Sequence, residues 1–139
     1  MADIAHSAHD MIAGMTPDLR PGQFVFASIK DPEQATRLLV DALGTYNEAE
    51  GLSLLLPLDV AQAEGLSCDH PMRCITLNVY SALDGVGLTA AVATALAENG
   101  IACNMVAAHH HDHAFVPAES AERALALLKG LQSAAQTQA

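Results

Sequence analysis

An α+β architecture, with two antiparallel sheets each backed by helices on one face, is predicted by three observations. Strand and helix patterns alternate through both halves of a 139-residue chain with only short turns between them. Residues 75–80 set Ile75, Leu77 and Val79 against Thr76, Asn78 and Tyr80, the period of two that marks a sheet with one covered face. The halves also share a pattern: Leu56-Pro57-Leu58-Asp59-Val60-Ala61 matches Val116-Pro117-Ala118-Glu119-Ser120-Ala121 as strand end, Pro, any residue, acid, any residue, Ala. Strand, Pro, acid, helix is also a general way to open a helix. The common order of elements favours a divergent duplication, and right-handed crossovers then give a ferredoxin-like arrangement, present twice.

Residues 1–10 are small and polar and are expected to fray. Residues 24–29 form the first strand. Asp31-Pro32-Glu33-Gln34 then offers an N-cap, a Pro at the first helical position and a capping-box Gln. The helix they open turns Ala35, Leu38, Leu39, Ala42 and Leu43 inward and stops at Gly44. A strand at 52–56 and a short helix at 59–64 complete the first half. In the second, strand 75–80 leads to a helix over 85–99, capped by Asp84, with Leu88, Val92 and Leu96 on one face, Ala91 and Ala95 beside them and Gly100 as the stop. Strands at 101–107 and 114–116 meet at a His-rich corner. A helix over 119–131 carries Ala121, Ala124, Leu125 and Leu128, so the second half reads βαββα. Residues 133–139 lack an apolar period and are expected to fray. The chain divides into units at 10–67 and 68–132.

With 51% hydrophobic and 16% charged residues, the chain has the composition of a folded protein, not a disordered one. Six Lys plus Arg against 16 Asp plus Glu give a net charge of -10, which argues against nucleic acid and anionic membrane surfaces as partners. No apolar run approaches the ~20 residues of a membrane span, and the N-terminus lacks the pattern of a signal peptide, so a soluble, cytoplasmic protein is expected. Cys68, Cys74 and Cys103 are odd in number and show no C-x-x-C spacing, against both a disulfide framework and a Cys-based zinc site.

Three features rise above scaffold. The loop Ser81-Ala82-Leu83-Asp84-Gly85-Val86-Gly87 leads from a strand into a helix N-terminus, where backbone N–H groups and two glycines let a carboxylate approach the main chain. The same glycines could equally serve only a tight turn. Asn104 is placed on the strand face opposite Cys103 and Met105, exposed beside that loop, where its amide suits both an ammonium and a carboxylate. In His109-His110-His111-Asp112-His113, alternate residues His109, His111 and His113 would project to one face of an extended strand, which invites a metal reading. Ligand hydrogen bonding and plain exposure are the other readings of that cluster. Ser81, Ser28 and Cys103 lack the elbow motif of an activated nucleophile.

The run ITLNVYSALDGVG, LTAAVATALAENG, IACNMVAAHHHDHAFVP and ESAERALALL resembles an ACT domain, a small regulatory module of amino-acid metabolism. HDHAFVP, with MTPDLRPGQFVFASI and EAEGLSLLLPLDVAQAEGL before it, is similar to a bacterial group of short stand-alone proteins with two ACT-like units. The resemblance spans about residues 10–131 and implies a βαββαβ fold in each unit. It also implies an amino-acid or related small-molecule ligand, held at Asp84, Gly85, Val86, Gly87, Leu88 and Asn104, with His111, Asp112 and His113 matching the group's motif. A non-enzymatic ligand sensor with no cofactor is expected, acting through a homodimer or another protein partner. A metal-binding protein or metal-dependent enzyme built on His109, His111 and His113, and a ligand-free interaction module, are the alternatives. With so few cations, a carboxylate ligand would rely on the backbone amides at 84–88.

Overall fold

A computed structural model describes residues 4, 5, 7–80 and 82–138. In chain order the elements are α1 (Ala8–Ala13), β1 (Pro17–Leu19), β2 (Phe24–Ile29), α2 (Pro32–Leu39), β3 (Gly44–Glu48), β4 (Gly51–Pro57), α3 (Leu58–Ala63), β5 (Met72–Leu77), α4 (Leu88–Glu98), β6 (Asn104–Ala107), β7 (Asp112–Pro117), a 3-10 turn (Ala118–Ser120) and α5 (Ala121–Thr137). They form two compact units, Gly22–Met72 and the residues up to Pro21 together with Arg73 onward.

In the unit Gly22–Met72, β4 pairs antiparallel with β2 on one side and with β3 on the other. Phe24 pairs with Met72, so the fourth strand position of this unit is reduced to a single residue pair. Alternation along β2 and β4 puts Val25, Ile29, Leu54 and Leu56 on one face, where Ala35, Leu38 and Ala61 from α2 and α3 close the core. Asp31 caps α2 as its sequence promises, accepting from the Glu33 amide at 3.2 Å, with Pro32 in the first turn. Gln34 does not complete a capping box. It reaches Glu64 instead, at 3.4 Å. α2 ends at Leu39, well short of Gly44, and Leu39 and Leu43 stand exposed and not inward.

The other unit has the strand order β1-β5-β7-β6. Its connectivity is β5-α4-β6-β7-α5, and the strand that would complete a βαββαβ unit is β1, brought from the N-terminal end of the chain to pair antiparallel with β5. This is why residues 10–21, expected in the first unit, cluster in space with the second. One face of the sheet, through Ile75, Leu77, Ala114 and Val116, packs on Met11 and Met15, on Leu88, Val92 and Leu96 of α4, and on Ala121, Ala124 and Leu128 of α5.

The repeated motif falls at equivalent places. Pro57 ends β4 at φ -55, ψ 140 and precedes α3, while Pro117 ends β7 at φ -52, ψ 137 and precedes the helical turn that enters α5. Both ends expected to fray contain helix. Residues 8–13 form α1 with Met11 buried, and α5 runs to Thr137 with Ala135 buried. β5 stops at Leu77, because beyond it the Asn78 amide bonds Met15 O and the side-chain Nδ2 bonds Thr16 O at 3.2 Å.

Candidate functional site

The loop from β5 to α4 holds most of the expected contact residues. Asp84 does not cap the helix: the Gly85 amide donates to Ala82 O at 2.9 Å, which closes a turn and leaves Asp84 exposed, three residues short of the N-cap. That position belongs to Gly87, which takes φ +116, a left-handed conformation that side chains resist. Its carbonyl receives the Ala91 amide at 2.9 Å. The amides of Leu88, Thr89 and Ala90 therefore head α4 without intrahelical acceptors, at the positive end of its dipole. Leu88 offers only its backbone there, since its side chain is in the core. Leu83 and Val86 are 75% and 81% exposed, so the loop presents apolar side chains outward.

Two neighbours flank the loop. On one side Ala5 donates its N–H to Tyr80 O at 2.8 Å and accepts from the Ala82 amide at 2.9 Å. Ala8 lies so close to Gly87 that a Cβ placed there would be 2.6 Å from the Ala8 methyl. On the other side stands the tip of the β6–β7 hairpin. The Ala108 amide bonds His111 O at 3.0 Å, and the His111 ring lies 5.0 Å from Tyr80, with His110 edge-on to the same ring at 5.8 Å. His111 Nδ1 is 3.3 Å from Val79 O; a carbonyl only accepts, so Nδ1 donates there.

His109, His111 and His113 do not share one strand face. The strand β7 starts at Asp112, and His109, His110 and His111 belong to the bend that turns the chain, so their directions diverge. Among the described residues no three His, Cys, Asp or Glu side chains are grouped as metal ligands. His113 points along the sheet face away from the helices, its Nδ1 3.0 Å from Thr76 Oγ1. Burial pushes its imidazole below the ordinary value, helped by the charges of Arg20 and His111 and opposed by Asp112. Burial likewise holds the Asp112 carboxyl above the usual carboxylate range, against the pull of His113 and His111.

Asn104 is exposed. It opens β6 opposite Phe115, whereas the hairpin tip follows Ala107, three residues and so about 10 Å further along the strand. The structure thus brings His110 and His111 against Val79 and Tyr80 at the start of the loop. Sequence reasoning missed Ala5, Ala8 and Tyr80 as neighbours of the loop; the pair Met11 and Met15, four residues apart, was the signal that the N-terminal segment packs. Of the candidate nucleophiles, Ser81 lies outside the described residues, and burial raises the Cys103 thiol, which disfavours its reactive thiolate.

An ACT-domain family model matches residues 6–73 and a second matches residues 69–130. The chain belongs to the ACT domain family. Its two matches are the two tandem ACT units. No protein of curated function matches the sequence. Among solved structures, this ACT-domain protein is similar to a Vibrio cholerae protein of unknown function described as a "possible transport protein", with 40% identity, a TM-score of 0.77, and coverage of 87% of this chain and 92% of that one. The regulatory subunit of aspartate kinase from Thermus thermophilus shares the fold at 16% identity, with a TM-score of 0.59 over 85% of this chain and 98% of its own. An Agrobacterium tumefaciens protein does so at 21% identity and a TM-score of 0.62, over 84% and 87%. Among the described residues no helix is long and apolar enough to cross a membrane.

Proposed function

We propose that this ACT-domain protein is a non-catalytic sensor: it binds a small molecule, an amino acid, at the amide end of α4, and binding changes its association with a second copy or another protein. The observation that carries this reading is the left-handed Gly87 at the N-cap of α4, beside backbone amides that suit a ligand carboxylate where no Lys or Arg is available in the loop. The Asp84 carboxylate is exposed in the loop, and a carboxylate suits an α-ammonium. Membership in a family whose solved relatives include a regulatory subunit of aspartate kinase supports the amino-acid class.

A thermal-shift screen of the twenty L-amino acids tests it. Ligand at about 100 times its dissociation constant adds roughly 2.7 kcal/mol, a rise of several degrees in melting temperature. Asp84→Asn should weaken the shift by about tenfold in ligand concentration, consistent with a charge-assisted hydrogen bond worth roughly 1.5 kcal/mol. No shift with any amino acid at millimolar concentration overturns the reading.

A further inference from the structure

We propose that Ala5 and Ala8 are a built-in cover on the ligand loop, and that a small molecule reaching the amide end of α4 must displace them. The proposal rests on the ligand reading above, but its physical basis is separate from it.

Ala5 takes one acceptor and one donor from the loop backbone, Tyr80 O at 2.8 Å and the Ala82 amide at 2.9 Å. Those groups lie in the stretch that delivers the chain to α4. Ala8 fills the space over Gly87, so the side of the helix head that lacks a Cβ is closed by a methyl from α1. Gly87 therefore has two roles in one place: its missing side chain admits either Ala8 or a ligand atom, and not both.

The segment is held unequally along its length. Met11 and Met15 are 1% and 0% exposed in the core, and Ala13 O accepts from Gln132 Nε2 at 2.8 Å and from Gln136 Nε2 at 3.0 Å. Towards the N-terminus, Ile4 is 60% exposed, and Ala5 adds only a methyl to the core. Ser7, whose Oγ accepts from the Asp10 amide at 3.1 Å, marks the joint where extended chain becomes helix. Two hydrogen bonds and small apolar contacts can open locally while the methionines stay packed. A ligand that binds only the open form shifts that equilibrium, and lifting Ala5 and Ala8 exposes Tyr80 O, the Ala82 amide and the face of Gly87 together.

Hydrogen exchange on the full chain without ligand gives the first test. The Ala5 and Ala82 amides should exchange at least tenfold faster than those of Ala114 and Val116 in β7; equal rates would mean that the segment leaves only by global unfolding and would overturn the proposal. The second test uses Ala5→Pro, which removes the donor to Tyr80, and Ala8→Glu, which keeps a helix-compatible first turn but cannot sit on Gly87. With circular dichroism confirming the fold, the amino acid found in the screen should bind both variants about tenfold tighter than the unaltered chain, as expected when the competent form is about a tenth of the population. Unchanged or weaker binding overturns the cover. If no amino acid binds any form, the ligand reading falls, and the cover is then decided by the exchange rates alone.

Discussion

Gly87 holds φ +116 with its Cα against the Ala8 methyl, so Gly87→Ala combines a left-handed alanine with a 2.6 Å contact. Such strain costs about 1–3 kcal/mol, and a lowered urea midpoint should show it; adding Ala8→Gly relieves the contact and recovers part of the loss. His113 and Asp112 carry the pH dependence. The folded imidazole lies below its ordinary 6.5, so its contribution is present above that value and is lost as pH falls through the folded one. His113→Gln should therefore flatten the decline in stability as pH falls below 6.5. The Asp112 carboxyl is shifted the other way, above its ordinary 3.8, so its charged form opposes folding once pH exceeds the folded value. Asp112→Asn should raise the melting temperature at pH 7 and leave it unchanged at pH 3. At this scale the loop glycines and histidines were legible from sequence as chemistry. Their partners were not: Thr76 and Val79 meet His113 and His111 across strands, 37 and 32 residues away.

Elements with a strong apolar period were readable. Leu88, Val92 and Leu96 define α4, and all three are buried. β3 was missed because GTYNE has no apolar alternation and is exposed along its length after Gly44; what makes it a strand is its register with β4, from Gly44↔Leu55 to Glu48↔Gly51. Once β3 is counted, Gly22–Met72 also reads βαββα, like the second half. The end of α5 was misread for the opposite reason. SAAQTQA has small and polar residues, yet Gln132 and Gln136 both reach Ala13 O, which ties α5 to the end of α1. Ending the chain at Leu131 removes both bonds and should cost about 1–3 kcal/mol at roughly 0.5–1.5 kcal/mol each, measured as a lower denaturant midpoint with an almost unchanged slope.

For the whole molecule, the decisive connection is the N-terminal stretch that completes the unit formed by Arg73 onward. Met11 and Met15 are fully buried there, and β1 supplies its edge pairing to β5. Losing two such methionines removes about 4–10 kcal/mol, comparable to the ~5–15 kcal/mol stability of a typical domain. A fragment of residues 73–139 should thus give a collapsed amide spectrum, and adding a peptide of residues 1–21 should restore dispersion; a fragment that folds alone would contradict this assignment. The sequence by itself determined the α+β class, the faces of α4, α5 and β5, the cap of α2 and the doubled motif at Pro57 and Pro117. Each is set by spacing within a few residues, where backbone geometry fixes which side chains share a face. Tertiary structure alone shows that β1 pairs with β5 and that Ala5 and Ala8 lie against the loop before α4. Those depend on which strand edges meet, and pairing across some sixty residues is chosen by the burial of a shared core, not by any local period.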